Sequence, residues 1–152
     1  MFTGIIETMG IVEEIRLNGS NKEFTISSAI SDELKVDQSL AHNGVCLTVT
    51  AVENGKHHVT AIDETLLRSN LGALKIGESM NLERAMSGLS RFDGHLVQGH
   101  VDTVGVVKSV LDKDGSWIFT FNFPEENKHL LVDKGSVCIN GVSLTVINPT
   151  SN

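Results

Sequence analysis

A seven-residue phrase occurs twice in this chain with one position changed, and that repeat restricts the possible folds more than any other feature. Asn43-Gly-Val-Cys-Leu-Thr-Val49 returns as Asn140-Gly-Val-Ser-Leu-Thr-Val146, so that Cys46 in the first copy corresponds to Ser143 in the second. Self-similarity at long range means two copies of one structural unit rather than one continuous core. In each phrase Asn-Gly supplies a hairpin turn and Val-x-Leu-Thr-Val supplies a strand. Side chains alternate across a strand. Val45, Leu47 and Val49 therefore share an apolar face, and Cys46 and Thr48 share the opposite one. Val142, Leu144 and Val146 repeat the apolar face, and Ser143 and Thr145 repeat the small polar one.

The echo extends outward. Phe2 to Val12 opens the first unit and Val97 to Val107 the second, with Gly4 matching Gly99 and Gly10 matching Gly105 at an offset of 95. The Asn43–Asn140 offset is 97, the drift that small loop changes produce. Asn18-Gly19 and Asp114-Gly115 mark hairpins, and Phe24–Ser27 and Trp117–Phe123 the strands that follow. Short helical turns are expected at Ser31–Leu34 and Pro124–Leu131. In the first unit, Asn54-Gly55 leads into a strand over His57–Ile62. A short helix from Glu64 to about Leu71 follows, with Asp63 as its N-cap. Ser79–Arg84 is the last strand, and Ser87–Gly94 is a polar, glycine-rich linker. The pattern predicts an all-β protein, a tandem repeat of two antiparallel six-stranded Greek-key barrels, over residues 1–94 and 95–152. The first unit runs 35 residues from Val49 to Arg84, whereas six follow Val146. The second barrel is expected to be incomplete within these residues, and the native chain to be longer.

Composition removes several classes of function. A net charge of −7 does not suit a nucleic-acid or anionic-membrane surface. With no tyrosine and Trp117 alone, no aromatic platform for single strands is evident. The N-terminus lacks the basic and apolar regions of a signal peptide. Cys46 and Cys138 do not make a disulfide framework, which indicates a reduced, cytoplasmic protein. His95 and His100 lie five residues apart, on opposite faces of a continuous strand, with no further ligand to complete a tetrahedral set, so no metal is expected. His57 and His58 also alternate and are expected to face solvent.

Four segments in order, Met1-Phe-Thr-Gly-Ile-Ile-Glu7, Asn43-Gly-Val-Cys-Leu-Thr-Val49, Gly94-His-Leu-Val-Gln-Gly-His-Val-Asp102 and Gly141-Val-Ser-Leu-Thr-Val146, give a chain that resembles the riboflavin synthase family along essentially its whole length. The resemblance implies a homotrimer of tandem Greek-key barrels with a C-terminal trimerising helix, associated in some settings with lumazine synthase. It implies dismutation of two 6,7-dimethyl-8-ribityllumazine molecules by transfer of a four-carbon unit. The products are riboflavin and 5-amino-6-ribitylaminopyrimidinedione, formed without cofactor or metal. The active site lies between the N-terminal barrel of one subunit and the C-terminal barrel of its neighbour.

By position, the resemblance assigns Gly4, Ile5, Ile6, Cys46, Leu47, Thr48 and the run Thr60, Ala61, Ile62, Asp63, Glu64, Thr65 to the N-barrel substrate contacts. It assigns Gly99, His100, Val101, Lys134, Ser143, Leu144 and Thr145 to the C-barrel contacts. Asn140 stands where an Asp is common in the family, and Asp93 where a Gly is common. His100, Cys46 and Ser143 are the catalytic candidates. An imidazole titrates near neutrality and suits removal of a proton from an acidified ring methyl. Cys46 and Ser143 carry a sulfur or oxygen at equivalent repeat positions. The alternative within this fold is a lumazine or flavin antenna protein that binds without turnover, which loss of the Cys46, His100 and Ser143 set would favour. All three are present.

Overall fold

The computed structural model describes residues 1–89 and 91–149. Its first unit is a closed barrel of six strands: β1 (Thr8–Asn18), β2 (Asn21–Ser27), β3 (Ser39–His42), β4 (Val45–Glu53), β5 (Lys56–Ala61) and β6 (Ser79–Arg84). They hydrogen-bond in the order β1-β2-β5-β4-β3-β6, and β6 returns to β1. Every adjacent pair is antiparallel, so closure leaves no strand edge unpaired. The positive φ of Asn43 and Gly44, and of Asn54 and Gly55, forms the two-residue turns that join β3 to β4 and β4 to β5. The β1–β2 turn lies one residue later than the Asn18-Gly19 signal, because Asn18 still pairs with Asn21 and the loop is Gly19-Ser20.

The alternation read from the repeat holds in β4: Val45, Leu47 and Val49 are buried while Thr48 and Thr50 are exposed. These residues join Val12, Phe24, Ile26, Leu40, Val59, Met80 and Leu82 in the barrel core. Each large apolar side chain contributes about 1.5–3 kcal/mol on leaving water. Exposed ion pairs such as Arg16–Glu14 are worth roughly 0–1 kcal/mol each. The apolar interior therefore holds the barrel.

The helix between β5 and β6 is shorter than expected. α1 spans Asp63–Arg68, with Ile62 rather than Asp63 at the cap position, and a 3-10 turn over Asn70–Ala73 follows. Ser69 divides the two, its hydroxyl accepting from the Leu71 amide.

The second unit repeats the first without closing. β7 (Val106–Asp112) pairs with β8 (Trp117–Asn122), and β9 (Ser136–Ile139) with β10 (Val142–Thr145), as two separate two-stranded sheets. The echo reaches fine detail. The register shift between Val12 and Glu14 in β1 recurs between Val107 and Ser109 in β7. Val106, Val110 and Phe119, on strands that match the first barrel's, stay exposed. Among the described residues the second barrel is incomplete. No helix of the described residues is long and apolar enough to cross a membrane.

One polar pair lies inside the first barrel. His42 and His57 are fully buried, their Nε2 atoms 3.0 Å apart. The Leu40 carbonyl can only accept, so His42 Nδ1 carries the proton of the 3.1 Å bond between them. His42 Nε2 then accepts from His57 Nε2–H, and His57 Nδ1 accepts from the Ser31 hydroxyl at 2.9 Å. Ser28 lies 2.9 Å further along the chain of bonds. The expectation that His57 faces water is corrected: its alternation with His58 is kept, but its face is the inside of the barrel, where His42 and Ser31 satisfy it. Burial, then the neighbouring His57, pushes His42 down to about 3; burial, then His58, pushes His57 down to about 4.

Both values lie below the ordinary 6.5, so the folded state takes up fewer protons than the unfolded chain in acid. The stability this pair permits is present above pH 6.5 and falls as pH drops toward 4, by about 1.4 kcal/mol per pH unit per histidine. Urea unfolding midpoints measured from pH 7.5 to 4.5 should fall steeply. His57→Gln should flatten that dependence while lowering stability at pH 7.5 by about 1–3 kcal/mol. Equal slopes in the two proteins would remove the pair from the account.

Candidate functional site: two crossed half-sites

The segments that open the two units lie on each other's signature strands. Phe2 and Val97 form an isolated antiparallel bridge, Phe2 N–H donating to Val97 O at 2.7 Å and Val97 N–H to Phe2 O at 3.0 Å. From this bridge the first strap runs to the second unit, where Ser143 N–H donates to Gly4 O at 2.7 Å. The second strap runs to the first unit, where Cys46 N–H donates to Gly99 O at 2.9 Å. Beside the crossing the two Asn-Gly turns abut: a β-carbon on Gly44 would stand 2.7 Å from Gly141 N.

Glycine is required where each strap meets its strand. Gly99 has φ +87°, and an added β-carbon would lie 2.6 Å from Cys46 Cβ and 2.9 Å from Phe2 Cε2. Gly4 has φ +77°, with Ser143 Cβ at 2.8 Å. Both the left-handed backbone and the approach exclude a side chain.

The first half-site is a cleft of about 170 Å³ lined by Cys46, Glu64, Thr65, Arg68, Gly99 and His100, with Val45, Ser69 and Val101 behind them. Glu64 and Arg68, one helical turn apart, are ion-paired at its rim. The volume is below the roughly 300–1,000 Å³ of sites that enclose a small molecule.

The second half-site is built on Ser143. Its hydroxyl lies 2.6 Å from His95 Nδ1, and His95 N–H donates to Thr3 O at 3.0 Å. The pair is half-buried and flanked by Gly94, whose added β-carbon would come within 3.4 Å of Ser143 Cβ.

The structure regroups the sequence assignments. Gly4 accompanies Ser143, and Gly99, His100 and Val101 accompany Cys46, the reverse of the expected sets. The physical reason is the crossing at Phe2–Val97, which exchanges the straps between units. Ile5 occupies the repeat position of His100, so the half-sites are not chemically equivalent. Leu47 and Ala61 belong to the barrel core. Thr48, Ile62 and Asp63 are exposed. Thr60 lines a different cleft with Thr25, Thr50 and His58. Ile5, Leu144 and Thr145 are exposed, Ile6 half-buried. Lys134 is exposed with φ +61°, its amide donating to Val146 O at 2.9 Å.

His95 and His100 do diverge, but along a strap rather than a continuous strand, each to a different half-site. Sequence reasoning considered His95 only as a metal ligand and missed its serine. The adjacent Gly94, in the stretch that resembles the family, was the available signal. Arg68 was also missed, although its spacing from Glu64 puts both on one helix face. No group of three or more histidine, cysteine or acidic side chains among the described residues is placed to hold a metal. Cys138 is free and half-buried; burial, with Glu83 nearby, pushes its thiol up.

A closed Greek-key barrel, an unclosed second copy and reciprocal straps define a tandem-barrel protein with two candidate half-sites. The chain belongs to the lumazine binding domain family, whose model matches it twice, over residues 3–85 and 98–152. It is 43% identical to riboflavin synthase of Saccharomyces cerevisiae over 97% of this chain and 66% of that one. It is 36% identical to riboflavin synthase of Actinobacillus pleuropneumoniae, over 97% and 69%. The chain thus spans about two thirds of the length of these relatives. Among solved structures it resembles LumP complexed with 6,7-dimethyl-8-(1'-D-ribityl) lumazine, at a TM-score of 0.84 and 21% identity, covering 97% of this chain and 80% of that one. LumP complexed with riboflavin gives 0.85 and 22%, with the same coverage. At that identity the likeness is one of fold.

Gly99→Ala should displace the second strap and expose the Cys46 thiol. Alkylation of Cys46, followed by peptide mass analysis, is expected to accelerate, with a stability loss of at least ~1–3 kcal/mol from backbone strain alone. Gly4→Ala should loosen Ser143 and leave Cys46 labelling near that of the parent protein. Equal labelling in all three proteins would contradict the reciprocal seating of the straps.

Proposed function

We propose that this chain is the catalytic unit of a riboflavin synthase. It takes two molecules of 6,7-dimethyl-8-ribityllumazine and moves a four-carbon unit from one to the other, giving riboflavin and 5-amino-6-ribitylaminopyrimidinedione. The observation that carries the proposal is the pair of strap-on-strand half-sites, alike in backbone and different in chemistry. Two similar cradles suit two copies of one ligand, and unlike side chains suit a donor and an acceptor. The identity to riboflavin synthases over nearly the whole chain supports the same reading.

The atoms of two substrates equal those of the two products, so the reaction needs no co-reactant. What it needs is juxtaposition of two rings and proton transfer at carbon. His100 lines the Cys46 cleft, and on this reading it takes a proton from a ring methyl. Cys46 presents its thiol to the same cleft. Ser143, with its hydroxyl on His95, can be deprotonated by that imidazole as it adds to the other ring, or can donate to a developing anion. Gly4 and Gly99 bring main chain close to each ligand, and Glu64 and Thr65 offer hydrogen bonds to a polyol side chain. Each half-site is an open wall, and on this reading subunits of a cytoplasmic homotrimer bring the half-sites of neighbouring chains face to face.

Incubating the protein with dimethylribityllumazine and following riboflavin absorbance tests the proposal. Binding without riboflavin would favour the antenna reading instead. His100→Gln should keep ligand binding, seen by fluorescence titration, and lose ~10²–10⁴-fold in rate. An unchanged rate would take the base away from His100, and a loss of binding alone would make it a contact. Cys46→Ala and Ser143→Ala should lower turnover with the circular dichroism of the barrel intact, since neither side chain belongs to the core of the first barrel.

A further inference from the structure

Glu83 is 4% exposed, which is unusual for a glutamate and unexplained by the assignments above. It lies on β6, opposite Ala41 of β3, on the outward face of a strand whose Met80 and Leu82 fill the core. The first strap covers it. Oε1 accepts from Thr3 N–H and from the Thr3 hydroxyl, both at 2.6 Å, and Oε2 accepts from Gly4 N–H at 3.0 Å. Thr3 Oγ1 in turn accepts from Ile5 N–H at 3.2 Å. The amides of Thr3, Gly4 and Ile5 are therefore all oriented, directly or through one hydroxyl, by a single carboxylate.

The carbonyls of the same strap point the other way. Phe2 O receives Val97 N–H, Thr3 O receives His95 N–H, and Gly4 O receives Ser143 N–H. One strap thus carries Glu83 of the first barrel on its donor side and both members of the Ser143–His95 pair on its acceptor side. Because Phe2 also bridges to Val97, the second strap, which seats Gly99 on Cys46, starts from the same anchored point.

We infer that Glu83 is a positioning residue that sets the Ser143–His95 pair through the Thr3–Gly4 strap. The inference rests on the catalytic reading for its consequence in turnover, and on geometry alone for its consequence in structure. A carboxylate suits this role because it accepts at both oxygens. Glutamine keeps the shape but turns one of its two ends into a donor, which would face a backbone donor.

The test is Glu83→Gln, with Thr3→Val as a milder second variant that removes the hydroxyl arm and keeps the volume. Amide hydrogen exchange should accelerate about tenfold or more at Gly4, His95 and Ser143 in Glu83→Gln, with β2 and β5 core amides unchanged. Turnover of dimethylribityllumazine should drop about tenfold in kcat with KM altered less than about threefold, because the ligand's walls remain and the reacting pair is misplaced. Thr3→Val should show the same pattern more weakly, and the double variant should add little to Glu83→Gln. Uniformly faster exchange across the barrel would reduce Glu83 to a fold-stabilising residue and overturn the inference, as would unchanged exchange at Ser143 and His95. If the parent protein makes no riboflavin, the catalytic reading fails, and the exchange pattern still decides whether Glu83 holds the pair.

Discussion

Both candidate half-sites depend on the crossing of two short straps at Phe2 and Val97. Two main-chain hydrogen bonds fix the crossing, and both side chains are buried there with Ala41. From this point each strap departs toward the other unit and ends in a glycine pressed against the signature strand. The β-carbon of Cys46 or Ser143 occupies the space that a side chain on that glycine would need. Strand, strap and glycine form one interlocked element, present twice. A barrel alone would offer a smooth outer face of small residues. At Cys46 the strap converts that face into a cleft by adding a second wall that carries His100.

The repeat is close enough in backbone to expose the differences in chemistry. The β1 register shift recurs in β7, and positive φ recurs at the Asn-Gly turns. Against that constancy, Cys46 becomes Ser143, and His100 becomes Ile5 at the matched strap position. The second unit restores an imidazole by a different route. His95 reaches Ser143 from the segment just before the crossing. One half-site therefore holds a thiol with an imidazole on its strap, and the other a hydroxyl directly bonded to one. Under the proposed function, that asymmetry suits distinct donor and acceptor molecules of one compound.

Much of this was legible in the sequence. Alternation in Val45–Val49 told inside from outside, because a closed barrel buries one face of each strand and the signal is local. Asn-Gly and Asp-Gly marked hairpins for the same reason. The strap exchange was not legible. Which strand a segment joins is a contact across 53 residues for Gly99 and Cys46 and 139 for Gly4 and Ser143, and nothing in Thr3-Gly4-Ile5 distinguishes its own unit from the other. Assignment by resemblance to the family put Gly4 with Cys46. His57 was misread for a related cause. Period-2 reasoning separates His57 from His58 but does not say which faces inward, and a buried histidine is acceptable only because His42 and Ser31 arrive from other elements. Glu83 carried no signal either, since an outward residue of a last strand is ordinarily solvated and only the strap buries it.

The two buried polar systems, His42–His57 and Glu83, serve different purposes, and their surroundings show why. The histidine pair ends on a carbonyl and a serine inside one barrel, so its bonds stay within that unit and its neutral state is enforced by burial. Glu83 directs its acceptors at a segment whose remaining groups belong to the other unit. A buried carboxylate is costly to desolvate unless each oxygen is occupied. Here the occupants are the Thr3 and Gly4 amides and the Thr3 hydroxyl. An apolar residue at this position would leave those amides without partners under the strap. The carboxylate is thus required by the strap, and the strap by the half-sites. That dependence runs from the first barrel to the Ser143–His95 pair of the second unit, and it ties the two repeats together.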